Sequence, residues 1–372
     1  MHCVSAGSAA AFTAGMGLAA GAWLQPQSGD GKSQEAQGTP FPYYQGKSVV
    51  SIVKGESRRK LIYEALIGID DQILPKLKQK KYVILKPNCV AADFPAACTD
   101  RDAILGVLDY LAPRFKGPIL IAESSASRTT REAFENLRYG SITSEHRPRN
   151  ISLVDLNEGE YDVINVMDAN LHLTPVRLIR RLMDPDAFVI SIPKAKTHVI
   201  CTVTLSVKNV VLAAPLRLQP KQAPPQRVGF AVPWNDKWKI HPTYRIANYN
   251  MMLVAQRLRP SWGVAVIDAF EGMERNGPVA GINVSHRVAV ASTDYIAADR
   301  VMAEAMGVKP DTVGHLVYCA QSGLGQFDPV KIELRGEPLA AVRKEYLLPA
   351  NMEPVEEWMR PMHDVPSVVP PS

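Results

Sequence analysis

The chain has 372 residues, 46% hydrophobic and 21% charged, with a net charge of +5. That balance suits a folded chain with a full core and argues against both a low-complexity class and a nucleic-acid binder with a strongly basic face. Five cysteines occur without a CxxC pair, so neither a ferredoxin-type cluster nor a zinc ribbon is written in their spacing.

The first predicted element is a leader. Residues 8–24, SAAAFTAGMGLAAGAWL, are small and apolar without one charge, and Ala20-Gly21-Ala22 fits a small-residue cleavage site. Residues 1–22 therefore read as an export signal, similar to the second half of a twin-arginine signal, and 23–46 as a flexible polar linker. The expected location is exported or periplasmic, with a cytoplasmic one as the alternative. No later stretch is long and apolar enough for a transmembrane span.

From 47 to 340 short β-branched runs alternate with helical spacing, as one α/β domain. SVVSIV (48–53) predicts a strand, and RRKLIYEALIGIDDQIL (58–74) one helix with Leu61, Ile62, Ala65, Leu66, Ile69 and Ile73 on a face. YVILKPN (82–88) is a strand broken at Pro87, and DAILGVLDYL (102–111) a helix capped by Asp100 or Asp102. GPILIAESS (117–125) is a third strand, TTREAFENL (129–137) a helix behind a threonine cap, and NISLVDLN (150–157) a fourth strand. DAFVISIP (186–193), WGVAVIDAFEG (262–272) and SHRVAVAST (285–293) repeat the strand formula. Helices over 294–306 and 310–321 and a late strand, VKIEL (330–334), complete the pattern. The fold class expected is α/β, a mostly parallel sheet with helices on both faces, in one unit or two lobes. Residues 214–243 form a Pro-, Gln- and Trp-rich insert whose Trp234 and Trp238 are expected exposed, suited to a protein partner. Residues 341–372 read as an extended Pro-rich tail.

In such a sheet, ligands bind beyond the carboxyl ends of the strands. There the sequence places Lys86 and Asn88, then Glu123 and Ser124, then Lys194, Lys196, Thr197 and His198, and finally Asp268, Glu274 and Gly277. Lysines supply compact positive charge for a phosphate or carboxylate, and hydroxyls fill the remaining acceptor positions. Glycine lets backbone N–H groups approach an anion. His198, His241 and Lys196 are the candidates for proton transfer, the histidines also for a transition metal, and Asp268 and Glu274 for a hard divalent cation or a base. The stretch 199–211 stays open between a strand, by the alternation of Val203, Leu205 and Val207, and a helix, by the spacing of Ile200, Val203, Val207, Val210 and Val211. Lys208 and Asn209 belong either to the site or to a solvated helix face. No Walker loop, no GxGxxG opening a helix after a strand, no GxSxG elbow and no HExxH occurs.

KPN (86–88), IAESS (121–125), IPKAKTH (192–198), TLSVKNVV (204–211), His241 after a variable insert, DAFEGMERNGPVAG (268–281) and ASTDYIAADRVMAEAMG (291–307) follow in that order. Together they resemble the family called domain of unknown function 362, over nearly all of residues 47–338. The resemblance implies no settled activity. It implies site positions at Lys86, Asn88, Glu123, Lys194, Lys196, His198, Lys208, Asn209, His241, Asp268 and Glu274, with Asp294 and Asp299 divided between site and helix cap. Many members carry a ferredoxin-like module or extra cysteine motifs that this chain lacks, so an iron–sulfur cluster is not expected here. The cofactor is unknown, with a divalent metal as a candidate. The function expected is binding or converting an anionic small molecule, bearing phosphate or carboxylate, in a cleft lined by Lys, His and Asp. A metal- or iron–sulfur-associated redox protein and a non-enzymatic exported binding or assembly protein are the alternatives.

Overall fold

A computed structural model describes residues 44–126, 129–145, 150–218, 235–350, 352 and 358–359. The predicted export segment, nearly all of the linker, Trp234 and most of the predicted tail lie outside the described residues.

Among the described residues ten strands form one mixed sheet, and two more form a separate ribbon. The strands are β1 (Ser48–Lys54), β2 (Tyr82–Pro87), β3 (Ile119–Glu123), β4 (Ile151–Asp155), β5 (Tyr161–Met167), β6 (Leu173–Ile179), β7 (Ala187–Ile192), β8 (Lys194–His198), β9 (Thr202–Thr204), β10 (Trp262–Asn276), β11 (Ala280–Ser292) and β12 (Ile332–Gly336). The main sheet has the order β12-β1-β11-β10-β7-β2-β3-β4, with β8 and β9 attached beside β10, and β5 and β6 form the ribbon. From β10 to β4 neighbouring strands are parallel, whereas β11 is antiparallel to both β10 and β1. β7, AFVISI, is buried at every position, as its uninterrupted apolar run requires when both faces are covered.

Helices supply that cover. α1 (Arg58–Ile67), α2 (Asp70–Leu77), α3 (Arg101–Leu111), α4 (Thr130–Asn136) and α5 (Gly140–Glu145) precede β4, and α6 (Ser206–Val211), α7 (Tyr244–Leu258), α8 (Tyr295–Ala305), α9 (Gly314–Gln321) and α10 (Leu339–Val342) follow β9. Val83, Leu85, Ile190 and Val264 share one core with α1 to α4, while Ile84, Val189, Ile267 and Val290 share the other with α6 to α9.

Several elements differ from expectation. The helix predicted over 58–74 breaks into α1 and α2 because Ile69 leaves helical dihedrals (φ −129°, ψ 25°). At the break a Cβ on Gly68 would lie 2.3 Å from Ser51 Oγ, so the turn passes too close to β1 for any side chain. Asp100, rather than Asp102, caps α3, and Thr129 closes a capping box with Glu132 on α4. The open stretch 199–211 uses both conformations, β9 and then α6. The ribbon β5–β6 and the long helix α7 were not anticipated. The start of the predicted tail is anchored, since His286 hydrogen-bonds the Val342 carbonyl and the Tyr346 hydroxyl, and Val342 and Tyr346 are buried.

Candidate functional site

Pro87 and Glu123 end the parallel neighbours β2 and β3, and beyond them opens a cavity of about 770 Å³. After β7 the chain turns at Pro193 into β8, which pairs with β10 and folds back as β9 into α6. This path carries Lys196, His198, Thr204, Lys208 and Asn209 to one cavity wall. A 3-10 turn over Asp236–Ile240 brings Lys237 and Trp238, followed by His241, and the ribbon's turn adds Asp168 and Asn170.

α6 is an improbable helix on propensity, because three of its six residues are valine. It is held from outside. Asp299 of α8 accepts from the backbone N–H groups of Ser206 (2.7 Å) and Val207 (2.8 Å), and so satisfies two of the orphan donors of its first turn. Asp294 caps its own helix through Ile296 and Ala297, so both aspartates act as caps. Asn209 then ties α6 to the sheet: its Nδ2 donates to the Lys86 carbonyl (3.0 Å) and to Ser191 Oγ (3.1 Å).

The lysines differ in how their three N–H donors are used. Lys86 donates to Glu123 (2.7 Å), Asn209 Oδ1 (3.2 Å) and the Pro87 carbonyl. Glu123 is held in turn by the N–H groups of Cys89 and Ser124. Lys196 donates to the Ala97 carbonyl (2.7 Å), Asn88 Oδ1 (2.8 Å) and the Pro278 carbonyl (3.3 Å). Lys237 donates to the carbonyls of Leu212 (2.8 Å) and Ala213 (3.2 Å). Lys208 is 7% exposed and has no hydrogen-bond partner among the described residues. Thr204 Oγ1 is likewise buried without one.

Desolvation dominates the electrostatics. Burial pushes Lys196 and Lys237 down to about 7, and lowers Lys208 as well. Burial and then the Lys208 charge hold His198 well below its ordinary value and His241 at about 3, so both rings are neutral at pH 7. Their tautomers are complementary. His198 Nδ1 accepts from the N–H groups of Ile200 (3.0 Å) and Cys201 (3.2 Å), which leaves the hydrogen on Nε2. His241 Nδ1 faces the Lys237 carbonyl (3.2 Å) and must donate to it, which leaves the lone pair on Nε2.

Of the residues predicted for the site, the cavity brings together Lys86, Asn88, Glu123, Ser124, Lys196, His198, Lys208, Asn209 and His241. It does not include Lys194, Thr197, Asp268, Glu274 or Gly277. Asp268 is buried against Arg58 (3.2 Å) and the Phe270 N–H, and Glu274 accepts from the Leu347 N–H. Among the described residues no group of three His, Cys, Asp or Glu side chains is placed to hold a metal ion. Thr197 Oγ1 donates to the Arg275 carbonyl, and Lys194 is buried near Arg58 and Asp268. The Gly277 N–H is spent on the Arg275 carbonyl, and a Cβ there would lie 2.0 Å from the Thr197 carbonyl; close packing, rather than anion contact, demands glycine. Trp238, expected exposed, is half-buried and lines the cavity. Lys237 and Thr204 were missed as site residues: one sits in the insert, away from any strand end, and the other gives the signal of an ordinary strand threonine.

A family model described as domain of unknown function, DUF362, matches residues 83–304, more than half of the chain. The chain belongs to this family. The DUF362 match contains every cavity lysine and both histidines. A thylakoid-associated protein of Synechocystis sp. is 26% identical over 278 residues, covering 74% of this chain and 78% of that protein. A protein of Thermotoga maritima with a solved crystal structure is 10% identical, covers 73% of this chain and 59% of its own, and superposes with a TM-score of 0.39. The chain thus spans less than two thirds of that protein, and a likeness this distant carries no argument. Among the described residues no helix is long and apolar enough to cross a membrane.

Proposed function

We propose that this protein binds an anionic small molecule, carrying a phosphate or a carboxylate, in the cavity beyond β2 and β3, with Lys208 as the ion-pairing group. The observation that carries the reading is the state of Lys208, a cation 7% exposed on a cavity wall with no partner among the described residues. Charges taken out of water are ordinarily paired, because an isolated one is costly to bury. An anion arriving from solvent supplies the missing partner. The Thr204 hydroxyl and the His198 Nε2–H are further donors on the same cavity.

Calorimetric titration with inorganic phosphate and with acetate tests this. The wild type should bind at least one of them, and Lys208→Met should weaken that binding about tenfold or more without lowering thermal stability. Absence of binding to the wild type, or equal binding to the variant, would contradict it. Export remains part of the proposal on the strength of the apolar run 8–24, and the amino terminus of protein recovered from its native cell checks it.

A further inference from the structure

We infer that the ligand is an amphiphilic anion, with one anionic head at Lys208 and an apolar, ring-bearing body against Val90, Ile200, Leu212, Trp238 and Pro242. This rests on the anion-binding reading and narrows it to a substrate class.

The donor inventory limits the head. A polyphosphate or polycarboxylate needs several cations with open N–H groups, and of the five cavity lysines two have none to give and two more keep one. All three donors of Lys86 are taken by Pro87, Glu123 and Asn209, and all three of Lys196 by Asn88, Ala97 and Pro278. Lys237 has two carbonyl partners, Leu212 and Ala213, and Lys239 has the Pro175 carbonyl and the Asp236 carboxylate, so each keeps one donor. Lys208 is therefore the one cavity lysine with all three donors open, and Thr204, the His198 Nε2–H, Lys237 and Lys239 add one each, an inventory that suits a single anionic group better than a chain of them.

The walls define the rest. Val90, Ile200, Leu212 and Pro242 line the cavity with no side-chain donor or acceptor, and Trp238 adds an indole face. At about 770 Å³ the cavity lies in the range that encloses a drug-sized ligand and is far larger than a lone phosphate needs. Water filling it would find no hydrogen-bond partner on the four aliphatic side chains, whereas an apolar body would displace that water favourably.

The test compares head groups alone with the same heads on a ring, using the full-length wild type at pH 7. Calorimetry would measure methyl phosphate, 1-naphthyl phosphate, acetate, 1-naphthoate and tripolyphosphate. A ring burying on the order of 100 Å² of apolar surface should tighten binding roughly 50-fold over the methyl compound with the same head. The better of the two heads identifies the anion as phosphate or carboxylate. Inorganic phosphate or acetate should compete with the ring-bearing ligand. Ile200→Asn should remove most of the ring's advantage over the methyl compound with the same head, and the wild-type series stands without that variant if it fails to fold. Equal affinity for ring-bearing and methyl ligands would overturn the inference and leave simple anion binding intact. Tightest binding of tripolyphosphate would also overturn it in favour of a multiply charged ligand. Ring-bearing ligands that bind without competition from the small anion would reduce the site to an apolar hollow. No binding by any probe would sink both readings.

Discussion

Lys86 and Lys208 line the same cavity and have opposite surroundings. Lys86 is saturated by Glu123, Asn209 and a carbonyl, so its charge serves the floor of the cavity. Lys86→Met would strand the Glu123 carboxylate in a buried site and should cost about 3–5 kcal/mol in urea unfolding. Lys208→Met removes an unpartnered cation and should cost nothing in the same experiment. The sequence showed both lysines as basic residues near strand ends, through KPN and SVKN, but it could not show which one is paired. Pairing is settled by Glu123 and Asn209, which are 37 and 123 residues from Lys86. For the same reason Asp268 looked available in the sequence, while Arg58, far earlier in the chain, occupies its carboxylate.

Among the elements, α6 matters most to the site because it carries Lys208 and Asn209. Its valines oppose helix formation, and Asp299 offsets this by capping two buried N–H groups. Asp299→Ala should destabilise the protein by about 2–4 kcal/mol, two unsatisfied buried donors, and weaken anion binding as α6 loosens; urea unfolding and calorimetry would show both. Strands with plain β-branched runs and helices with local caps, such as β2, β7, α3 and α4, were legible because their causes lie within the segment. α6 was not, since its cap comes from α8. The ribbon was missed partly because Pro175 sits inside β6, where proline argues against a strand. α7 hid its buried face behind Asn248 and Asn250, whose side chains donate to the carbonyls of Tyr244 and Met167.

Across the whole molecule, buried bases link stability to pH. Lys196 and Lys237 titrate near 7 in the folded chain against 10.5 for an ordinary lysine, so between those values the unfolded chain holds more protons. Stability therefore rises with pH from 7 towards 10.5, and is lost as pH falls back through that window. His241 and His315, both at about 3 against 6.5, act in the same direction between 6.5 and 3, opposed there by Asp299, which burial raises to about 7. The melting temperature of the unliganded protein should climb between pH 7 and 9, after correction with Lys196→Met, and a saturating anion should flatten the climb by keeping both lysines charged. A flat profile in the unliganded protein would contradict this. The parallel sheet with helices on both faces was legible from the alternation of segments, and so was the convergence of polar residues beyond β2 and β3. The acid-rich end of β10 was assigned to the same cleft, but its carboxylates turn to Arg58 and Leu347 instead. The most direct measurement is an anomalous difference map from crystals soaked in tungstate. A peak is expected within hydrogen-bond reach of Lys208 Nζ and Thr204 Oγ1, with Lys86 still on Glu123. Tungstate found only on exposed arginines and lysines, with the cavity empty, would contradict it.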